Sequence, residues 1–269
     1  MMGTWSRALT WIILLLTTPA LTINNSPLPD ITDQTFISVC VTEHNRHRSA
    51  VQPPASNMRY MTWDEGLAVT ARAWARNCLF IHNTHLKEKG KAHPVFTSLG
   101  ENLWAGTKFS LKSAIEGWVN EVKDYQYNTM SCNKVCGHYT QVVWASTYKV
   151  GCAVQFCPNG VEQTTFHPTP AVLFVCNYAT AGNYKHQKPY STGQECSECS
   201  GEQCENKLCR DAARDAPRRY NWTPDWDPQL SECGTLCKAI LITRPVSLLL
   251  IFISAYCVQH RYPDLFAYT

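Results

Sequence analysis

Apolar positions recur at helical spacing in three stretches of the chain and at strand spacing in two more. Asp33 can cap a helix over Gln34 to Arg48, in which Phe36, Val39, Cys40 and Glu43 to His44 follow helical spacing. Gln52-Pro53-Pro54-Ala55-Ser56 is a break. Asp64 caps a longer helix with Leu67, Ala71, Trp74, Ala75 and Cys78 on one stripe, predicted to end near Asn83. Lys87 to Thr97, polar and basic with Pro94, reads as a loop. Ser110 caps a third helix that turns Ala114, Ile115, Trp118, Val119 and Val122 inward. Lys149 to Phe156 alternates and is rich in β-branched residues, and Ala171 to Tyr178 is a second strand. A Pro- and Gly-bearing hairpin loop, Pro158 to Pro170, joins them. Helices followed by strands, without strict alternation, predict an α+β fold or a layered mixture on an antiparallel sheet.

The two ends carry different patterns. Arg7, the apolar run Ala8 to Leu16 and the small residues Thr18, Pro19 and Ala20 have the order of a secretory signal peptide. Residues 1–22 are therefore expected to leave the mature chain, and the run is too short to span a bilayer. A second apolar stretch, Ala239 to Val258, is 20 residues, close to the length of a transmembrane helix. Arg244 lies about 8 Å into such a helix, near enough to the interface to snorkel. Pro245 is tolerated near a membrane helix end. A poorly inserted amphipathic tail is the alternative reading. Gln259 to Thr269, with His260, Arg261 and Asp264, follows the stretch, which weakens a lipid-anchor reading and predicts a short cytoplasmic tail. Asn24-Asn25-Ser26 and Asn221-Trp222-Thr223 are glycosylation sequons, Asn221 being the better placed.

Composition narrows the compartment. Hydrophobic residues make up 45% of the chain and charged residues 17%, enough to bury a core and to exclude disorder. A net charge of +3 gives no support for nucleic-acid binding. The 14 cysteines call for metal ligation, redox chemistry or crosslinks. With a signal peptide ahead of them, most should be disulfides. After Tyr190 the composition changes, and Cys196, Cys199, Cys204 and Cys209 fall within 14 residues that offer almost nothing for a core. Their C-x-x-C spacing also fits zinc, but an oxidising lumen favours disulfides. Arg210 to Leu236, rich in Asp, Arg, Pro and Trp, reads as a linker or stalk. The chain thus divides into a signal peptide (1–22), a main domain (31–190), a disulfide-rich hinge module (191–209), a stalk (210–237), a transmembrane helix (239–258) and a tail (259–269).

Four titratable residues stand out by their surroundings: His82, Glu101, Glu121 and His138. Glu121 follows Trp118 by three residues, so the two share a region of the third helix surface. Spacing alone does not bring the four together, and singly each reads as a helix-end histidine or a solvated carboxylate.

GHYTQVVW at Gly137 to Trp144 and FVCNYATAGNY at Phe174 to Tyr184 resemble the two signature segments of the CAP superfamily. That family comprises cysteine-rich secretory proteins, insect venom antigen 5 and plant pathogenesis-related proteins. His82-Asn83 and Gly100-Glu101-Asn102-Leu103-Trp104 match two further motifs, and all four stand in the family's order over Ile31 to Cys209. VCGHYTQVVW followed by YKVGCAVQFCP, and RYPDL near the C-terminus, look most similar to the glioma pathogenesis-related group.

The resemblance implies a three-layer α-β-α sandwich whose central cleft is lined by two histidines and two glutamates. Motif by motif these fall on His82, Glu101, Glu121 and His138. Two imidazoles and two carboxylates suit zinc or another divalent ion, the imidazoles as ligands and the carboxylates binding water or orienting the rings. With solvent in the other positions, binding should be weak and reversible. The resemblance also implies disulfides Cys78–Cys157, Cys152–Cys176, Cys132–Cys136, Cys196–Cys204 and Cys199–Cys209, leaving Cys40 without a partner. Cys233 and Cys237 can pair near the membrane, and Cys257 lies inside the apolar run. A family loop that contributes to sterol binding falls on Tyr125 and Tyr127, which otherwise read as an ordinary aromatic loop. The cysteine-dense domain that follows the hinge in cysteine-rich secretory proteins is absent, so channel block does not carry over.

Three function classes follow: a non-enzymatic extracellular recognition domain with unidentified protein partners, a sterol or lipid binder, and a metal-dependent or cysteine hydrolase. The first is favoured. Cys136, two residues from His138, is expected in a disulfide, and no motif supplies a serine nucleophile or oxyanion hole.

Overall fold

The computed structural model describes residues 28–228 and 235–262. The signal-peptide expectation, Asn24, Cys233 and most of the tail lie outside those residues, as do the side chains of 235–238.

Helix α1 (Gln34–Arg48) begins where Asp33 accepts hydrogen bonds from the N–H groups of Thr35 and Phe36, at 2.8 and 3.1 Å. Its last turn carries Arg46, His47 and Arg48, which suit the negative end of the helix dipole. Strand β1 (Thr62–Trp63) leads to α2 (Glu65–Ala75), capped by Asp64 through the Leu67 N–H at 3.1 Å. This helix ends well before Asn83. Cys78 adopts φ 52°, Leu79 pairs with Glu162, and Cys78 is bonded to Cys157. The distant tether turns the chain out of the helix, so His82 stands on a loop.

Strand β2 (Gly100–Gly106) follows, then α3 (Leu111–Val119), capped by Ser110, and a 3-10 turn (Asn120–Asp124) that carries Glu121. Val122, expected inward, is exposed on that turn. A small hairpin, β3 (Tyr125–Gln126) and β4 (Ser131–Cys132), leads to α4 (Gly137–Val142). The long strands are β5 (Lys149–Cys157) and β6 (Ala171–Ala179).

The sheet order is β1-β5-β6-β2, with β1 parallel to β5 and the other pairs antiparallel. Every residue of β6 is buried because helices cover both faces. Strand alternation sorts the contacts. Leu173 and Val175 pack with Ala68, Ala71 and Trp74 of α2. Phe174, Cys176 and Tyr178 pack with Phe36 of α1, Ile115 and Trp118 of α3, and Val142 of α4. This is a three-layer α-β-α sandwich. Gly151 sets the spacing on the α2 side: a Cβ there would lie 2.2 Å from the Ala68 nitrogen.

Among the described residues five disulfides form: Cys78–Cys157, Cys132–Cys136, Cys152–Cys176, Cys196–Cys204 and Cys199–Cys209. Cys152 and Cys176 are opposite residues of the β5–β6 ladder. Cys40 is a buried free thiol, and burial pushes its pKa far up.

The hinge module holds a hairpin, β7 (Gln203–Glu205) and β8 (Leu208–Arg210), whose turn residues Asn206 and Lys207 both have positive φ. The module does contribute to the core. Leu208 is buried in the α1–α3 layer, and Cys209 exchanges backbone hydrogen bonds with Met58 and Tyr60.

The segment read as a stalk packs against the domain. A short helix, α5 (Ala212–Asp215), precedes a strap in which Trp222 and Trp226 lie on the α2 side. The Tyr220 hydroxyl donates to Asp64 at 3.0 Å, and Arg76 pairs with Asp227 at 2.5 Å. The tryptophans are visible in the composition, but their packing against α2 is not. Helix α6 (Thr235–Arg261) contains Pro245, and its side chains from Ala239 to Arg261 are exposed throughout. Its length and composition suffice to cross a membrane.

Candidate functional site

The four candidate residues form two separate His–Glu pairs. In the first, Glu101 of β2 is fully buried and accepts three hydrogen bonds. They come from His82 Nδ1 at 3.0 Å, the Asn83 N–H at 2.9 Å and Asn177 Nδ2 at 3.1 Å. The His82 ring faces largely outward. Its hydrogen bond to Glu101 raises its pKa above the ordinary imidazole range, against a smaller opposing effect of burial.

In the second pair, Glu121 supplies the cap that α4 lacks. No side chain of its own N-cap residue, Cys136, bonds the first turn. Glu121 Oε2 instead accepts from the N–H groups of His138 and Tyr139, at 3.0 and 3.1 Å. Its Oε1 accepts from His138 Nδ1 at 2.6 Å. The His138 ring stacks on Trp118, which stacks on Phe174. Asn102 donates to the His138 carbonyl at 3.1 Å, fixing the same residue from the sheet side.

An open cleft of about 420 Å³ lies over the first pair, with His82, Asn83, Lys87, Gly100, Gln141 and Asn183 in its walls. Gly100 allows Gln141 to approach, since a Cβ would come within 2.0 Å of its Oε1. Glu121 and His138 are not in these walls. They adjoin it through Asn183, which donates to the Gly137 carbonyl at 2.8 Å and accepts from Thr140 at 2.6 Å.

Among the described residues no three His, Cys, Asp or Glu side chains converge as a metal group. Both carboxylates are occupied with three donors each, so they orient rings. That leaves the imidazole Nε2 atoms of His82 and His138 as the candidate first ligands.

Asn83, Asn102 and Asn177 were not singled out from sequence. Asn177 lies in the otherwise apolar strand β6, and a lone buried amide there is the available signal, whereas Asn102 follows Glu101 in β2 and carries no such signal. Tyr125 and Tyr127, the expected lipid residues, are half-buried among aromatic neighbours. Tyr125 meets the Tyr139 ring at 5.8 Å, and Tyr127 meets Tyr190 at 4.8 Å and donates to its carbonyl. Two other depressions, of about 470 and 610 Å³, flank the hinge module around Asn57 and Ser146; of the expected lipid residues, Tyr127 lines the larger. Asn221 is exposed on the strap.

Comparison with known proteins agrees with this architecture. The family model described as cysteine-rich secretory protein family, CAP, matches residues 41–178. The chain is 51% identical to GLIPR1-like protein 1 of Bos taurus over 211 residues, 77% of this chain and 85% of that protein. It is 47% identical to glioma pathogenesis-related protein 1 of Mus musculus over 245 residues, 89% and 90% of the two. Among solved structures, Na-ASP-1 superposes with a TM-score of 0.53 at 27% identity, over 69% of this chain and 52% of that one. The three-layer sandwich, its disulfides and these matches place the chain in the CAP family of cysteine-rich secretory proteins.

Proposed function

We propose that this is a non-enzymatic recognition protein acting outside the cell, whose cleft responds to a divalent ion. The observation that carries this reading is that both carboxylates are engaged by donors inside the fold. Glu101 and Glu121 each accept three hydrogen bonds within the fold, which equips them to position His82 and His138. A hydrolase would need a nucleophile beside a base and donors for an oxyanion. Cys136, near His138 in sequence, is bonded to Cys132. An ion such as zinc would be held by the Nε2 atoms of His82 or His138, water completing its shell, and would supply a Lewis-acid contact for a ligand. The α6 helix would anchor the domain at a membrane surface.

The test pairs binding with turnover. Isothermal titration of zinc should show weak binding that His82→Ala/His138→Ala abolishes; equal affinity in both would remove the metal. Labelled chain should bind a cell surface saturably, and binding that rises linearly without competition would reject recognition. Turnover of a peptide and ester library that disappears with the histidines would replace this reading with a hydrolase.

A further inference from the structure

Only one place in the sequence sets two Lys or Arg residues side by side: Arg218-Arg219. Pro217, Arg218 and Arg219 are all exposed and belong to no helix or strand. The chain is tied down on both sides of them. Before them, the Ala216 carbonyl accepts from Lys149 Nζ at 3.1 Å. After them, the Tyr220 hydroxyl donates to Asp64 at 3.0 Å. The basic pair therefore stands out from a segment whose ends are fixed.

Its place in the chain gives a cut there a defined outcome. The last disulfide among the described residues closes at Cys209, and the apolar helix starts at Thr235. No described crosslink spans Arg219. Hydrolysis would leave the stapled domain on one product and the membrane-type helix on the other. Exposed irregular segments are where endoproteases reach the backbone. Other exposed basic residues, such as Lys87, Lys89 and Lys91, are single, so an enzyme that reads pairs is directed to this site alone.

We propose that Arg218-Arg219 is a processing site for an endoprotease specific for paired basic residues, which separates the domain from its C-terminal helix. Water adds to the Arg219 carbonyl carbon, the bond to the Tyr220 nitrogen breaks, and the products are the Arg219 carboxylate and a new amino terminus at Tyr220. Tyr220, Trp222 and Trp226 remain packed on the domain. The two products part only when this strap lets go, so the cut is read under denaturing conditions.

Cells expressing the full chain with a C-terminal tag provide the test. The tagged species should include a fragment whose first residue is Tyr220. Its yield should fall at least about tenfold in Arg219→Gln and in Arg218→Gln, a loss equivalent to more than about 1.4 kcal/mol of transition-state stabilisation. Both side chains are exposed, and an unchanged melting temperature verifies that the variants fold. A tagged chain that is found only at full length overturns the proposal. So does a Tyr220 fragment made equally well by both variants.

Discussion

Replacing Glu101 with Gln keeps the shape of the site and removes its charge. Glu101 Oε1 accepts from His82 Nδ1 and the Asn83 N–H, and Oε2 accepts from Asn177 Nδ2. All three donors face a fully buried side chain. In Glu101→Gln one oxygen becomes an NH2 group. Whichever way the amide turns, a donor meets either Asn177 or both Asn83 and His82. Hydrogen bonds to a charged group contribute about 1.5–3 kcal/mol, and a buried donor without an acceptor costs a similar amount. A loss of about 2–3 kcal/mol is expected, and at 2–4 °C per kcal/mol for a domain of this size the melting temperature should fall by about 4–12 °C.

The same change has a pH signature. Glu101 raises the pKa of His82 in the folded state. A raised imidazole contributes stability that is fully present below its unfolded pKa and is lost as pH rises through the folded one. The gap between parent and variant should therefore be wider near about pH 5.5 than near about pH 9, modestly so because solvent screens the exposed ring. Thermal melts at the two pH values, with NMR titration of the His82 ring, measure both effects. A variant that melts within about 1 °C of the parent, with His82 titrating as before, would refute the claim that Glu101 holds the ring.

Three further outcomes follow from the packing. Burial pulls the His44 pKa from 6.5 down to about 4, so the folded state binds fewer protons than the unfolded chain. Stability should fall by about 3 kcal/mol as pH drops through that window, and urea denaturation of His44→Gln should lack this acid-dependent loss. Arg48 is fully buried and donates to the carbonyls of Arg59, Val142, Trp144, Ala145 and Thr147. Arg48→Met should cost about 3–5 kcal/mol in urea denaturation, and Arg48→Lys should recover little because an ammonium cannot span the five acceptors. Trp226 stacks on His85 and donates to the Lys91 carbonyl at 2.7 Å. Trp226→Ala should lower hydrogen-exchange protection about tenfold over residues 84–96 and leave β5 and β6 unchanged.

What the sequence could determine was local or periodic. The bounds of α1 match the predicted Gln34 to Arg48 because Asp33 caps it and its apolar positions keep one period. β5 and β6 each extend one residue beyond the predicted strands, since their apolar content alone marks buried strands. The family motifs brought out His82, Glu101, Glu121 and His138, and the cysteine spacing set the hinge module apart.

Other features depend on residues far apart in the chain. The end of α2 is set by a disulfide from Cys78 to a cysteine 79 residues away, against a stripe that would have continued. Strand β2 begins Gly100-Glu101 and becomes a strand through its pairing with β6. The first turn of α4 is capped by Glu121, 17 residues before His138. Three tryptophan and tyrosine anchors turn an apparent stalk into a strap. Most of all, the sequence supplied four site residues, whereas the tertiary structure joined them into two hydrogen-bonded His–Glu pairs. A carboxylate's role depends on how many donors surround it in space, and that number is fixed only when the layers pack.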